Sequence, residues 1–185
     1  MIQESLIKKS KQRFKVPQRI YIHDEFTMLG FLCGGIFDAW FQLDYDTRTT
    51  NLACEKALKD KRDGPEIRKH INSGNLRLDI LDQDNLVKIS KYNEGSTISL
   101  SDAAIIHLTK QTSCIVLTDD LHVMNLLKKE KILVKGLSWV LDEIMENNVM
   151  ILSSAFLALK KMRQVGCITQ SDYDNKKLKW AKEYA

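Results

Sequence analysis

Five carboxylates stand where solvation alone does not explain them. Asp24 follows an apolar run at residues 20–23, and Asp119 and Asp120 follow another at residues 113–118. If both runs are strands, these acids reach the carboxyl edge of a sheet, where ligands bind in open α/β folds. Glu55 has Leu52 and Leu58 three positions to either side, and Asp102 has Ile105 and Ile106 one helical turn on. On helices, both acids therefore project from or beside an apolar face. An unpaired buried carboxylate is costly, and a proton or a divalent cation removes that cost. The competing roles are structural: an acid after a strand caps the next helix, and an acid in a first helical turn is favoured by the dipole.

Several other constellations are missing. The chain has no Gly-x-Gly-x-x-Gly and no Gly-Lys-Ser/Thr loop, which excludes the usual dinucleotide and phosphate cradles. It has no Cys-x-x-Cys or His-Glu-x-x-His, so a zinc site of conventional spacing is not expected. His23, His70, His107 and His122 are then most economically surface or half-buried residues.

The elements that must position the acids alternate. Residues 20–23 read as a strand and 26–32 as a buried helix stopped by Gly34 and Gly35. Residues 36–43 suit a second strand, and Asp46 or Thr47 a cap for a helix running to about Asp60. Residues 61–75 are a surface excursion around a short polar helix; a strand at 76–81 and a helix from Asp82 to Lys91 follow. Ser99 or Ser101 caps a helix to Gln111, residues 113–118 form the clearest strand, and 121–130 are helical. A short strand at Leu133 and Val134 precedes helices from Leu137, from Ser153, and around Leu178 and Trp180. Such alternation implies an α/β fold with a central parallel sheet of about four to five strands flanked by helices, with C-terminal helical additions. The expected organisation is a basic extension at 1–18, an α/β domain at 19–150, and a helical extension at 151–185 packed on the same domain.

Composition fits a folded chain: of 185 residues, 44% are hydrophobic and 28% charged. The longest near-apolar run, at 26–37, has 12 residues, short of the roughly 20 that span a bilayer. No membrane span is expected, and the opening lacks the layout of a secretory signal. Cys33, Cys54, Cys114 and Cys167 are widely spaced and read as reduced thiols of a cytoplasmic protein. The net charge of +4 hides an asymmetry. Residues 1–19 carry six basic groups against one acid and 153–185 carry seven against three, while the stretch between them has 15 against 20. An acidic middle with basic ends fits a carboxylate site flanked by charge for a polyanion, or simply two solvated helix faces.

In order along the chain, four short motifs resemble the PIN-domain nucleases, and in particular the toxin-type prokaryotic members. Residues 20–24 look like that family's first strand ending in its aspartate, and 50–58 like the helix carrying its glutamate. Residues 100–104 are similar to its Leu-Ser-x-x-Asp-Ala helix start, and 116–120 to its Thr-x-Asp strand end; Gly136 to Leu141 resembles a Gly-Thr-x-x-x-Leu stretch of one subgroup.

The resemblance implies a metal-dependent endoribonuclease, plausible as the toxin of a toxin–antitoxin pair. Asp24, Glu55, Asp102 and Asp120, with Asp119, would hold Mg²⁺ or Mn²⁺ and carry catalysis. Partners would be an RNA substrate, a small antitoxin protein and a second copy in a homodimer, with no membrane. RNA contacts are expected from Lys8, Lys9, Lys11, Arg13 and Lys15, and from Lys160, Lys161 and Arg163, because a carboxylate cluster repels phosphate. Two rivals remain: a PIN-like binding or assembly module without catalysis, and phosphoryl transfer on Asp24, which lacks a second aspartate two positions on. Between the adjacent acids Asp120 is favoured, since strand alternation puts it on the side of Thr118, whose hydroxyl would orient it. If the chain instead turns right after Thr118, Asp119 swings to the metal and Asp120 caps the helix.

Overall fold

Residues 17–93 and 98–184 are described by a computed structural model. Strand β1 (Gln18–Ile22) is the hub: it pairs in parallel with β2 (Tyr45–Thr50) on one side and with β4 (Ile115–Leu117) on the other. With β3 (Arg77–Asp79) and β5 (Leu133–Lys135) outside them, the sheet has five parallel strands in the order β3-β2-β1-β4-β5. The expected fold class is observed. Among the described residues no helix is long and apolar enough to cross a membrane.

Alternation along the central strands separates two faces. Ile20, Ile22, Ile115 and Leu117 join the larger core, while Tyr21 and Val116 join the smaller one on the opposite side. The larger core takes apolar residues from helices α1 (Glu25–Gly34), α2 (Phe37–Trp40), α8 (Leu137–Glu146), α9 (Leu152–Gln164) and α10 (Gln170–Glu183). The smaller face is covered by α6 (Leu100–Gln111) and α7 (Leu121–Lys129), through Ile105, Ile106, Val123 and Leu127. Helices α3 (Asn51–Lys59), α4 (Gly64–Asn72) and α5 (Gln83–Asn93) complete the β2 and β3 side.

Helix α1 ends as expected, with Gly35 at φ 65°, a left-handed turn that glycine enters without penalty. The last helix is fastened by a buried cation: Lys176 Nζ donates to Ser138 O at 2.8 Å and to Asp142 Oδ2 at 2.6 Å, both on α8.

The expected strand at 36–43 is instead the single helical turn α2, and the second strand is the polar segment 45–50. Its threonines are buried because their hydroxyls are satisfied: Trp40 Nε1 donates to Thr47, and Thr49 donates to Ile22 O. Asp46 and Thr47 therefore lie within a strand, and Thr50 caps α3 by accepting from Ala53 N–H. Strand β4 ends at Leu117, one residue earlier than expected.

Candidate functional site

The strand order turns back on itself between β1 and β4, and a cleft lies at the carboxyl edge of these two strands, lined also by residues of α3 and α6. The cleft has a volume of about 690 Å³, and His23, Asp24, Glu55, Asp102, Asp119 and Asp120 all line it. The sequence-expected acids thus share one cavity, although they do so in different ways.

Asp24 is the most constrained. Its Oδ1 accepts from Thr27 N–H at 2.6 Å, which caps α1, and its Oδ2 accepts from Thr118 Oγ1 at 2.9 Å and from His23 Nδ1 at 2.8 Å. Burial favours the neutral acid, but the His23, Thr27 and Thr118 hydrogen bonds overcome it and hold the carboxyl below its usual range. Asp102 closes a capping box: its backbone N–H donates to Ser99 Oγ and its Oδ2 accepts from Ser99 N–H. Its Oδ1 faces His23 Nε2 at 2.9 Å. Burial would again raise its pKa, and the contacts with His23 and Ser99 lower it instead.

His23 is the site residue that the sequence reading missed. Expected at the surface or half-buried, it is 3% exposed. The signal lay in alternation: Tyr21 points to the α6 face, so His23, two residues on, points the same way and meets Asp102 on α6. Burial disfavours the charged ring, yet hydrogen bonds with Asp102 and Asp24 prevail and raise its pKa to about 9.

The order of the two adjacent acids follows from the early end of β4. Asp120 Oδ1 accepts from His122 N–H and Val123 N–H and caps α7. Asp119 turns into the cleft, where its Oδ2 accepts from Leu137 N–H at 2.9 Å, the first turn of α8. The Thr118 hydroxyl orients Asp24 rather than Asp120, and it receives Asp120 N–H at 3.1 Å. Gly136 makes room for this: a Cβ there would stand 2.1 Å from Asp119 Oδ1. Asp119 is exposed to the open cleft, with Gly136 and Leu137 against its carboxylate. The partial desolvation this brings raises its pKa; the Asp24 and Asp172 charges add to the rise and Leu137 N–H opposes it. Among the described residues no Lys, Arg or His pairs with Asp119.

Glu55 departs from expectation. It lines the cleft, but it is exposed and bonded to Lys59 Nζ at 2.6 Å rather than set on an apolar face. The apolar neighbours Leu52 and Leu58 flank the stripe, while Ala53, Cys54 and Ala57 form the buried face of α3. Lys56 also lines the cleft, exposed and without an ion pair among the described residues.

Of the basic groups expected at RNA, Lys8, Lys9, Lys11, Arg13 and Lys15 lie outside the described residues. Lys160 and Lys161 are exposed on α9. Arg163 is half-buried, donating to Gln170 at 2.9 Å with its guanidinium 5.1 Å from the Tyr173 ring, so it joins α9 to α10.

A second group of possible ligands lies elsewhere. Asp38, Glu66 and His70 bring ligand atoms within 4.8 Å of one another. A cation already serves them: Lys69 Nζ is 2.9 Å from Glu66 Oε1 and 4.0 Å from Asp38 Oδ1. His70 Nε2 lies 3.0 Å from the Glu66 carboxylate, which needs a proton on that nitrogen and leaves no lone pair there for a metal. Comparisons of the chain with protein-family models, curated proteins and solved structures give no match in any of the three.

Proposed function

We propose that this chain is a metal-dependent ribonuclease of PIN type, hydrolysing phosphodiester bonds of RNA at the cleft between β1 and β4. The observation that carries the reading is Asp119, a carboxylate lining the same cleft as Asp24 and, among the described residues, without a cation to pair it. The Asp24 charge adds to the rise in the Asp119 pKa, and a proton or a metal relieves that repulsion. Oxygen donors suit Mg²⁺ or Mn²⁺, and Asp24, Asp102 and Asp119 offer them in one cleft, lined also by Glu55 and Asp120, although these three do not bring ligand atoms within 4.8 Å of one another. When bound, the ion supplies a water of lowered pKa and a positive charge that admits the phosphodiester.

The chain's own residues do the positioning. Thr118 and Thr27 fix the Asp24 carboxylate, Leu137 N–H fixes that of Asp119, and Lys56, exposed at the cleft, offers its ammonium to a phosphate oxygen. Lys160 and Lys161 suit the same polyanion farther along the strand. The toxin role, a small antitoxin, a homodimer and a cytoplasmic location extend this reading from the PIN resemblance.

A non-catalytic binding module is the second reading. In its favour, His23 already bridges Asp24 and Asp102, and Lys59 already pairs with Glu55. One assay separates them: single-stranded RNA incubated with the protein and Mn²⁺, with EDTA, and with Asp119→Asn. Cleavage by wild type with Mn²⁺ alone supports the nuclease; an intact substrate in all three arms leaves the binding module.

A further inference from the structure

Phe26 is an aromatic ring left outside the core. It is 46% exposed and joins none of the apolar clusters. The other described phenylalanines all meet a second ring: Phe31 stacks on Phe37, Phe37 on Phe41, and Phe156 packs edge-on to Trp180. Among the described residues neither a ring nor a cation lies over Phe26.

Apolar residues scattered singly over a surface need no explanation, but Phe26 is not single. Positions 26, 29 and 32 follow one another at a helical turn's spacing along α1, and Phe26, Leu29 and Leu32 line a second cavity together with Ala57 of α3. This groove has a volume of about 440 Å³. It adjoins the carboxylate cleft, because Asp24, Glu25 and Phe26 line both.

The charges of the groove select its occupant. Asp24, Glu25, Asp60 and Asp63 stand against one cation, Arg62, whose guanidinium is already engaged by both oxygens of Asp63 at 2.9 and 3.0 Å. Such a lining repels a phosphate and accepts a flat, uncharged group. An RNA strand with a phosphate held in the cleft carries that kind of group on the adjoining nucleotide. A base still paired in a helix keeps both faces stacked, whereas an unpaired base presents a free face to an aromatic side chain.

Building on the ribonuclease reading above, we propose that Phe26 and the groove beside it form a base-binding subsite, in which an unpaired nucleobase next to the scissile phosphate stacks on the Phe26 ring. Stacking tolerates every base, so the subsite selects single strands over duplexes rather than one sequence over another.

The probe is an oligouridylate, whose own bases stack poorly, carrying at one position a fluorescent purine that is quenched by stacking. The purine is walked along the strand, and emission is read on mixing with protein and Mn²⁺, before turnover. Wild type should quench it at a position beside the cut. Phe26→Ala should lose the quench and raise KM by roughly 5- to 150-fold, the range one stacked base supplies, with Mn²⁺ affinity unchanged. Phe26→Tyr should keep the quench and the low KM; Phe26→Leu, apolar but without a ring, should behave like Phe26→Ala. Independently of any variant, an abasic nucleotide at the quenched position should raise the wild-type KM by a similar factor. An unchanged KM in Phe26→Ala, as a groove for a protein segment would give, overturns the proposal. So does a loss of RNA affinity that tracks a loss of Mn²⁺ affinity, since the ring would then merely support Asp24. A probe quenched in this pattern but left uncut by wild type ends the nuclease reading and keeps the subsite. Cleavage without any quench ends the subsite and keeps the nuclease, and neither quench nor cleavage ends both.

Discussion

Thr118 Oγ1 donates to Asp24 Oδ2 at 2.9 Å across 94 residues of chain, and its oxygen receives Asp120 N–H at 3.1 Å. One hydroxyl thus ties the ends of β1 and β4 at the point where the cleft opens. Thr118→Val keeps the shape of the side chain and removes both bonds. A hydrogen bond to a charged group contributes about 1.5–3 kcal/mol, so unfolding in denaturant should show a loss of that order. Thr118→Ser should restore most of it, and Mn²⁺ affinity should follow the same ranking.

Stability should peak in mildly acidic solution. The folded-state pKa of His23, about 9, lies above its ordinary 6.5, so its contribution is complete below 6.5 and disappears as pH rises through 9. Asp24 and Asp102 are shifted the other way, so theirs is present above the ordinary carboxylate value of 3.8 and disappears as pH falls below it. Asp119, raised, opposes folding once it ionises. Melting curves recorded across the range should give the highest Tm at about pH 5–6.5, with the alkaline decline much reduced in His23→Ala. A flat profile from acid to pH 9 would contradict the bridging imidazolium.

Asp119 and Asp120 should separate cleanly by mutation. Asp120 caps α7, and Asn caps nearly as well, so Asp120→Asn should leave stability and Mn²⁺ binding close to wild type, while Asp120→Ala costs about 1 kcal/mol. Asp119→Asn removes a like charge beside Asp24 and should not lower the metal-free Tm. It should abolish the stabilisation by Mn²⁺, which for wild type at 100 times Kd amounts to about 2.7 kcal/mol. Differential scanning calorimetry with and without Mn²⁺ reads both effects.

Gly136→Ala tests the same carboxylate from the opposite side. The backbone there is extended, with φ −109° and ψ 179°, which alanine adopts freely, so the only obstacle is the 2.1 Å approach of its Cβ to Asp119 Oδ1. Asp119 should be displaced from Leu137 N–H, and Mn²⁺ affinity should fall at least tenfold with a smaller change in Tm. An unchanged affinity would remove Asp119 from the set of metal donors.

Much of this architecture could be read in advance, because β1 and β4 are apolar runs ending in acids and Ser99 announces α6. Strand β2 could not, since its burial depends on partners remote in sequence: Arg48 bonds Asp79, and Thr49 bonds Ile22 O. Glu55 misled for the reverse reason, as flanking leucines do not fix which way a mid-helix acid points once Lys59 lies one turn away. His23 was hidden by its type. A histidine at a strand end has no spacing signature, and only the packing of α6 against β1 brings Asp102 to its second nitrogen.

The buried Lys176 gives the far end of the chain a hold on the cleft. Its ammonium grips Ser138 O and Asp142 on α8, whose opening residue, Leu137, presents the N–H that steadies Asp119. Helix α10 therefore acts as a brace for an acid some fifty residues earlier in the chain. Whatever pries that helix away, by cleavage, modification or a competing protein, would slacken the mouth of the cleft without touching a single residue that lines it.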